Sequence, residues 1–180
     1  TSNDLPVAFE LLSPVDEMMV TTLTPEFLWE ASSDPDDGTI ALRETGKGKF
    51  SEDRTADGNT VDMITGYDFY LGSDAELTDV VPVEVIGTNY IPTESLIENM
   101  VYYWAVSALD DSGGVTFSDT ASFWTNSAND LPSDFSMLSP VGMPLLGVTS
   151  LTPTFTWTQS SDADLDDELL YRLNLGTSTW

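Results

Sequence analysis

The densest chemistry in the sequence lies in two acidic runs, Asp34-Pro35-Asp36-Asp37-Gly38 and Asp162-Ala163-Asp164-Leu165-Asp166-Asp167-Glu168. Carboxylates on alternate positions, closed by a turn, can wrap one cation with several oxygens, which is the coordination Ca²⁺ requires. The acidic turn Asp110-Asp111-Ser112-Gly113-Gly114, together with Asp4 and Asp130, adds oxygens of the same kind. The candidate metal ligands are therefore Asp4, Asp34, Asp36, Asp37, Asp110, Asp111, Asp130, Asp162, Asp164 and Asp166. Asp and Gly are also ordinary turn residues, and no run completes the twelve-residue pattern of an EF-hand loop. Two readings stand side by side: a calcium site, or turns and nothing more.

Other chemistry is excluded by what the chain lacks. It contains no Cys and no His. Thiolate chemistry, disulfides, His-based zinc sites and Ser-His-Asp triads are thereby ruled out. The absence of Cys fits reduced cytosol and bacterial surface proteins alike. Against 31 acidic residues stand only 5 basic ones, a formal net charge of −26. Such a surface repels nucleic-acid phosphates and anionic lipid, so neither is expected as a partner. No apolar run approaches the roughly 20 residues of a membrane span. Acidic residues are too widespread to mark a glycosidase pair, and none is flagged by sequence as buried in a cleft; no catalytic function is expected. Tyr70, Tyr90 and Tyr103 either stack on sugar or fill the outer face of a sheet.

The sequence repeats. Asn3-Asp4-Leu5-Pro6 returns as Asn129-Asp130-Leu131-Pro132, each followed by a Phe (Phe9, Phe135) and then Leu-Ser-Pro-Val. Leu-Thr-Pro-x-Phe-x-Trp follows, ending at Trp29 and Trp157, and then Ser-Ser-Asp-x-Asp, beginning at Ser32 and Ser160. Tyr-x-x-x-Leu-Gly closes the series at Tyr67 and Tyr171. Ordered self-similarity of this kind is the signature of a modular array. It divides the chain into a first repeat at 1–128 and a partial second repeat at 129–180.

The copies differ between the acidic run and the Tyr. Thirty residues separate Asp36 from Tyr67, but only 6 separate Asp164 from Tyr171. The first repeat therefore carries an insertion at about 38–66, containing four of the five cations: Arg43, Lys47, Lys49 and Arg54. Its glycines suit a protruding hairpin or a loop. The cations are either balanced locally by Glu44, Glu52, Asp53 and Asp57, or they dock onto an acidic neighbouring subunit.

Period-two alternation bounded by turn residues predicts strands throughout. Phe27 and Trp29 share one face, as do Phe155 and Trp157. Tyr67, Phe69 and Leu71 alternate with Asp68 and Tyr70, and Tyr171, Leu173 and Leu175 repeat the pattern. Met100, Tyr102, Trp104, Val106 and Ala108 form the longest inward stripe. Val81, Val83 and Val85 make a strand that Pro82 places at an edge, and residues 117–125 form the last. No convincing amphipathic helix exceeds two turns. An all-β, antiparallel sandwich is expected.

At this point the residues resemble a fibronectin type III domain. Pro25-Glu26-Phe27-Leu28-Trp29 resembles its strand B, Tyr67 opens a strand C, and Leu96 with Tyr102 is similar to the tyrosine corner before strand F. The likeness covers the first repeat apart from its insertion, and strands A to C of the second. It implies a seven-stranded Greek-key sandwich, complete once and begun a second time. In that frame the acidic runs lie in B–C loops, and the Asp110 turn and the linker residues Asp4 and Asp130 reach the same pole, where Ca²⁺ would stiffen the array.

The variant with Ser-Asp-Pro-Asp after strand B is similar to repeats of large prokaryotic surface proteins. That similarity implies an extracellular, cell-surface structural or adhesive role, in a stalk or filament. The alternative is a spacer or carbohydrate-binding module of a larger secreted enzyme. Implied partners are copies of the chain or adjacent repeats, and a surface glycan or protein. The incomplete second repeat is expected either to continue in a longer chain or to be completed by strand addition from another subunit.

Overall fold

A computed structural model describes residues 3–35, 63–141 and 151–176, together with the backbone of two strands in the insertion. Every regular element among the described residues is a β-strand. The chain divides into two compact units, Thr1–Ser127 and Ala128–Trp180.

In the first unit the strands in chain order are β1 (Leu11–Ser13), β2 (Met18–Val20), β3 (Phe27–Trp29), β4 (Leu42–Thr45), β5 (Lys49–Glu52) and β6 (Ile64–Gly72). They continue as β7 (Val83–Val85), β8 (Asn89–Tyr90), β9 (Val101–Asp110), β10 (Val115–Phe117) and β11 (Ala121–Thr125). One sheet has the order β1-β3-β8; the other runs β2-β11-β9-β6-β7, with β10 also on β9. Strands β4 and β5 pair separately as an antiparallel ribbon.

The alternation seen in sequence faces the two sheets toward each other. Phe27 and Trp29 from the small sheet meet Tyr67, Phe69, Trp104 and Phe123 from the large one, all buried. The Phe27 ring lies 4.8 Å from Phe69, 5.0 Å from Trp104 and 5.5 Å from Phe123. Tilted and edge-on contacts of this kind add to area burial, and each fully buried side chain contributes about 1.5–3 kcal/mol. The Trp104 indole N–H donates to the Pro14 carbonyl at 3.2 Å, so its polar edge is satisfied inside the core.

Three features differ from the expected sandwich. First, nine strands, not seven, make the two sheets, because two expected strands are each broken. The N-terminal segment leaves the small sheet after β1 and joins the large one as β2. The last strand breaks at Ser118, whose side chain accepts from Val106 N at 3.0 Å while its own N–H donates to the Val106 carbonyl. Second, the pairing of β2 with β11 is parallel, unlike every other ladder among the described residues of the unit. This follows from the same crossing, which carries β2 alongside β11 in the same direction. Third, β6 begins at Ile64, so the last part of the expected insertion belongs to the sheet.

β9 is also buried on both faces. Ala105 lies opposite Tyr70 and Ser107 opposite Phe117, and the Tyr70 and Phe117 rings lie 5.8 Å apart. Two large outer side chains thus flank two small ones, which accounts for the burial of Ala105 and Ser107.

The second unit holds β12 (Met137–Ser139), paired antiparallel with β13 (Thr156–Trp157). The expected strand from Tyr171 to Gly176 is not one; those residues are irregular and exposed. The reason lies in hydrogen bonding. Its counterpart β6 is held between β9 and β7, and residues 129–180 contain no segment matching either.

Candidate metal centre

Both acidic loops are hung on the same scaffold. In the first unit the Ser32 N–H donates to the Tyr67 hydroxyl at 2.9 Å, and the Ser32 hydroxyl donates to the Val7 carbonyl at 2.6 Å. Val7 N returns a bond to the Ser33 carbonyl at 2.8 Å. In the second unit the Ser160 N–H donates to the Tyr171 hydroxyl at 2.7 Å, the Ser160 hydroxyl to the Ser133 carbonyl at 2.5 Å, and Ser133 N to the Ser161 carbonyl at 2.7 Å. The rings beneath match as well. Tyr67 lies 5.8 Å from Phe9 and 5.7 Å from Trp29; Tyr171 lies 5.4 Å from Phe135 and 5.5 Å from Trp157. The Ser-Ser-Asp motif thus anchors a loop entry, and the acidic residues start where the anchoring ends.

Beyond that anchor, the second loop turns. The Asp164 N–H donates to Asp162 Oδ1 at 3.1 Å, and the Asp167 N–H donates to the Asp164 carbonyl at 3.3 Å. This one-turn closure returns Asp167 to the side of Asp164. One oxygen from each of Asp162, Asp164 and Asp167 then lies within 4.8 Å of the others. Asp164 is only 4% exposed, and its Oδ2 accepts from the Asp130 N–H at 2.9 Å. Its Oδ1, like Oδ2 of Asp162, is buried and meets no hydrogen-bond donor. Partial desolvation, and then the carboxylates of Asp164, Asp162 and Asp166, hold the Asp167 carboxyl above its ordinary pKa.

The other candidates are placed differently. Asp110 is buried at the end of β9, where Oδ1 accepts from Ser112 N at 2.9 Å and Gly114 N at 2.6 Å, and Oδ2 accepts from Asn3 Nδ2 at 3.1 Å. Burial pushes its pKa up, but the Asn3 amide and the turn N–H groups outweigh that and leave it lowered. A Cβ at Gly114 would collide with the Asp110 carboxylate, so a larger residue there would displace that side chain from its turn. Asp111 accepts from Met63 N at 3.4 Å and closes the start of β6. Asp110 caps its own turn, and Asp111 ties that turn to Met63. Asp34 is buried at 7% exposure, and Asp4 is exposed. Asp36, Asp37, Lys47 and Arg54 lie outside the described residues. Arg43 sits on β4 opposite Ser51, and Lys49 on β5 opposite Thr45. Among the described residues, Asp162, Asp164 and Asp167 form the one gathered acidic group.

Alternation in sequence singles out Asp166 as the third ligand of this loop, whereas the structure brings in Asp167. Residues i, i+2 and i+4 share a side only in extended chain; a turn with an i to i+3 hydrogen bond joins the first and fourth residues instead. A turn signal was present in the run itself, since four of its seven residues are Asp.

No family model matches the chain, and no curated protein matches it. Among solved structures, the chain is similar to the sixth fibronectin type III domain of human fibronectin type III domain containing protein 3. The identity is 16% and the TM-score 0.43, over 74% of this chain and 95% of that one. It is similar to an Fn3-like protein from Clostridium thermocellum at 14% identity and TM-score 0.39, over 72% of this chain and 100% of that one. It is also similar to an α-L-rhamnosidase from Dictyoglumus thermophilum at 17% identity and TM-score 0.41, over 81% of this chain and 16% of that one.

Proposed function

We propose that the chain is a non-catalytic fibronectin type III-like repeat module of an extracellular stalk or filament. The observation that carries this reading is the duplicated anchor, with the same three hydrogen bonds and the same Phe-Trp-Tyr cluster in both units. Repetition of a folded element with its anchoring contacts is how arrays gain length. The fibronectin-like assignment is supported by the tyrosine corner, in which the Tyr102 hydroxyl accepts from Ile97 N at 3.0 Å, five residues upstream. No helix among the described residues is long and apolar enough to cross a membrane.

Assembly is assigned to the β4–β5 ribbon. Four of the five cations lie in the insertion that contains it, on a chain of net charge −26. Interleaved with Glu44, Glu52, Asp53 and Asp57, these cations would draw an acidic neighbour through local charge pairs, which salt weakens. The test is analytical ultracentrifugation of the full chain and of a variant lacking residues 43–57, at low and high ionic strength. Concentration-dependent association that salt weakens and the deletion abolishes is expected. A monomer under every condition, or retention on polysaccharide affinity gels, would replace the filament with a spacer or sugar-binding module.

A further inference from the structure

We propose that the loop from Asp162 to Asp167 is a calcium site contained within the second unit, with Asp162, Asp164 and Asp167 as its carboxylate ligands. The gathering of three oxygens within 4.8 Å is one observation. The independent one is the state of Asp164. That side chain is 96% removed from solvent, one of its oxygens is held by the Asp130 N–H, and the other meets no donor at all. Oδ2 of Asp162 is a second buried carboxylate oxygen in the same condition. Burying anionic oxygens without partners is costly, and gathering three carboxylates adds repulsion. A cation relieves both costs at once, and no Lys or Arg lies between Gln159 and Tyr171 in the sequence.

The ligand set selects the ion. All three groups are hard, anionic oxygens, which suit Ca²⁺ or Mg²⁺ and not the softer transition metals. A short irregular loop with exposed Asp167 accommodates the six to eight flexible oxygen ligands of Ca²⁺, water included, more readily than the strict octahedron of Mg²⁺. The Asp130 N–H on the far oxygen of Asp164 ties the ion to the segment entering the unit, so binding orders that segment along with the loop.

The first loop shares a buried carboxylate at Asp34 but departs from this pattern at the third carboxylate. In ungapped register Asp34 and Asp36 match Asp162 and Asp164, but Thr39 stands where Asp167 does. One ion per chain is therefore expected, not two. The site does not depend on the filament reading, since it needs only the second unit's own residues.

Calcium titration of the full chain by calorimetry, with Tb³⁺ luminescence as a second readout, tests the site. The variants are Asp164→Asn, Asp167→Asn and, as a control outside the loop, the exposed Asp134→Asn. Expected is one saturable site per chain in the range of about 10⁻⁴ to 10⁻³ M typical of extracellular modules. Affinity should fall at least about ten-fold in either loop variant and stay unchanged in Asp134→Asn, because ligand charge count sets affinity. Asp167 is exposed, so its variant keeps the fold, as near-UV circular dichroism in EDTA will report, and it carries the test if Asp164→Asn unfolds. No saturable binding, or equal weakening by Asp134→Asn, overturns the assignment; the latter would mean diffuse counterion attraction to an acidic chain.

Discussion

Single hydroxyls and carboxylates hold this protein's corners. Tyr102 was readable in the sequence as a corner residue from the Leu96 spacing, and its hydroxyl accepts the Ile97 N–H as that reading implies. Tyr102→Phe removes one neutral hydrogen bond and strands a backbone donor, so a loss of about 1 kcal/mol is expected in urea unfolding of the first unit. Asp16 was not readable. Its role depends on Ser122, more than a hundred residues away, whose N–H and hydroxyl both donate to Oδ1 at 2.8 Å. Those bonds hold the Asp16 carboxyl below its ordinary pKa, the Ser122 backbone bond first. A lowered folded pKa means stability that is present above the unfolded value and lost as pH falls through the folded one. Asp16→Asn should therefore weaken the fold at neutral pH, and the gap from the parent should close in strong acid. A gap that stays constant down to the acid transition would assign the effect to something other than ionisation.

Among the elements, β6 and β7 carry an avoidable conflict. Asp68 lies directly opposite Glu84, and desolvation, followed by the Glu84 charge, raises the Asp68 pKa. The repulsion acts while both are ionised, above that raised pKa, and is relieved as pH falls through it. Like charges facing each other across a ladder destabilise it, while opposite charges contribute roughly 0.2–1 kcal/mol. Glu84→Lys should raise thermal stability at pH 7 by an amount in that range, and the gain should shrink as Asp68 protonates. Strand identity was legible for β3, β6 and β9 because their large side chains alternate. The break between β10 and β11 was not, because it depends on Ser118 replacing a ladder bond from Val106. Nor was the parallel pairing of β2, since pattern within a short strand carries no information about the direction of its neighbour.

At the scale of the whole molecule, two units of unequal construction share one chain. The first closes a sandwich core around Phe27, Phe69, Trp104 and Phe123, all fully buried. In the second, Phe135 is 52% exposed and the only ladder among the described residues joins β12 to β13. Unfolding should therefore occur in two calorimetric transitions, outside the two-state regime. Calcium should move only the lower one, since a ligand at 100 times its dissociation constant stabilises the unit that binds it by about 2.7 kcal/mol. A single transition, or an upper one that shifts with calcium, would contradict this division.

The sequence by itself determined the repeat, the β character and the abundance of carboxylates in turns, because these rest on local pattern and residue type. It also marked Ser32 and Ser160, with Tyr67 and Tyr171, as equivalent positions. Only the tertiary structure decided which carboxylates meet. Asp110 was drawn into a backbone turn and Asp111 onto the distant Met63 N–H, while one oxygen from each of Asp162, Asp164 and Asp167 was brought within 4.8 Å of the others by a turn that skips Asp166. The physical reason is that a carboxylate takes whatever donor the fold brings near. Asp110 is offered the N–H groups of Ser112 and Gly114, whereas Oδ2 of Asp162 and Oδ1 of Asp164 are offered none.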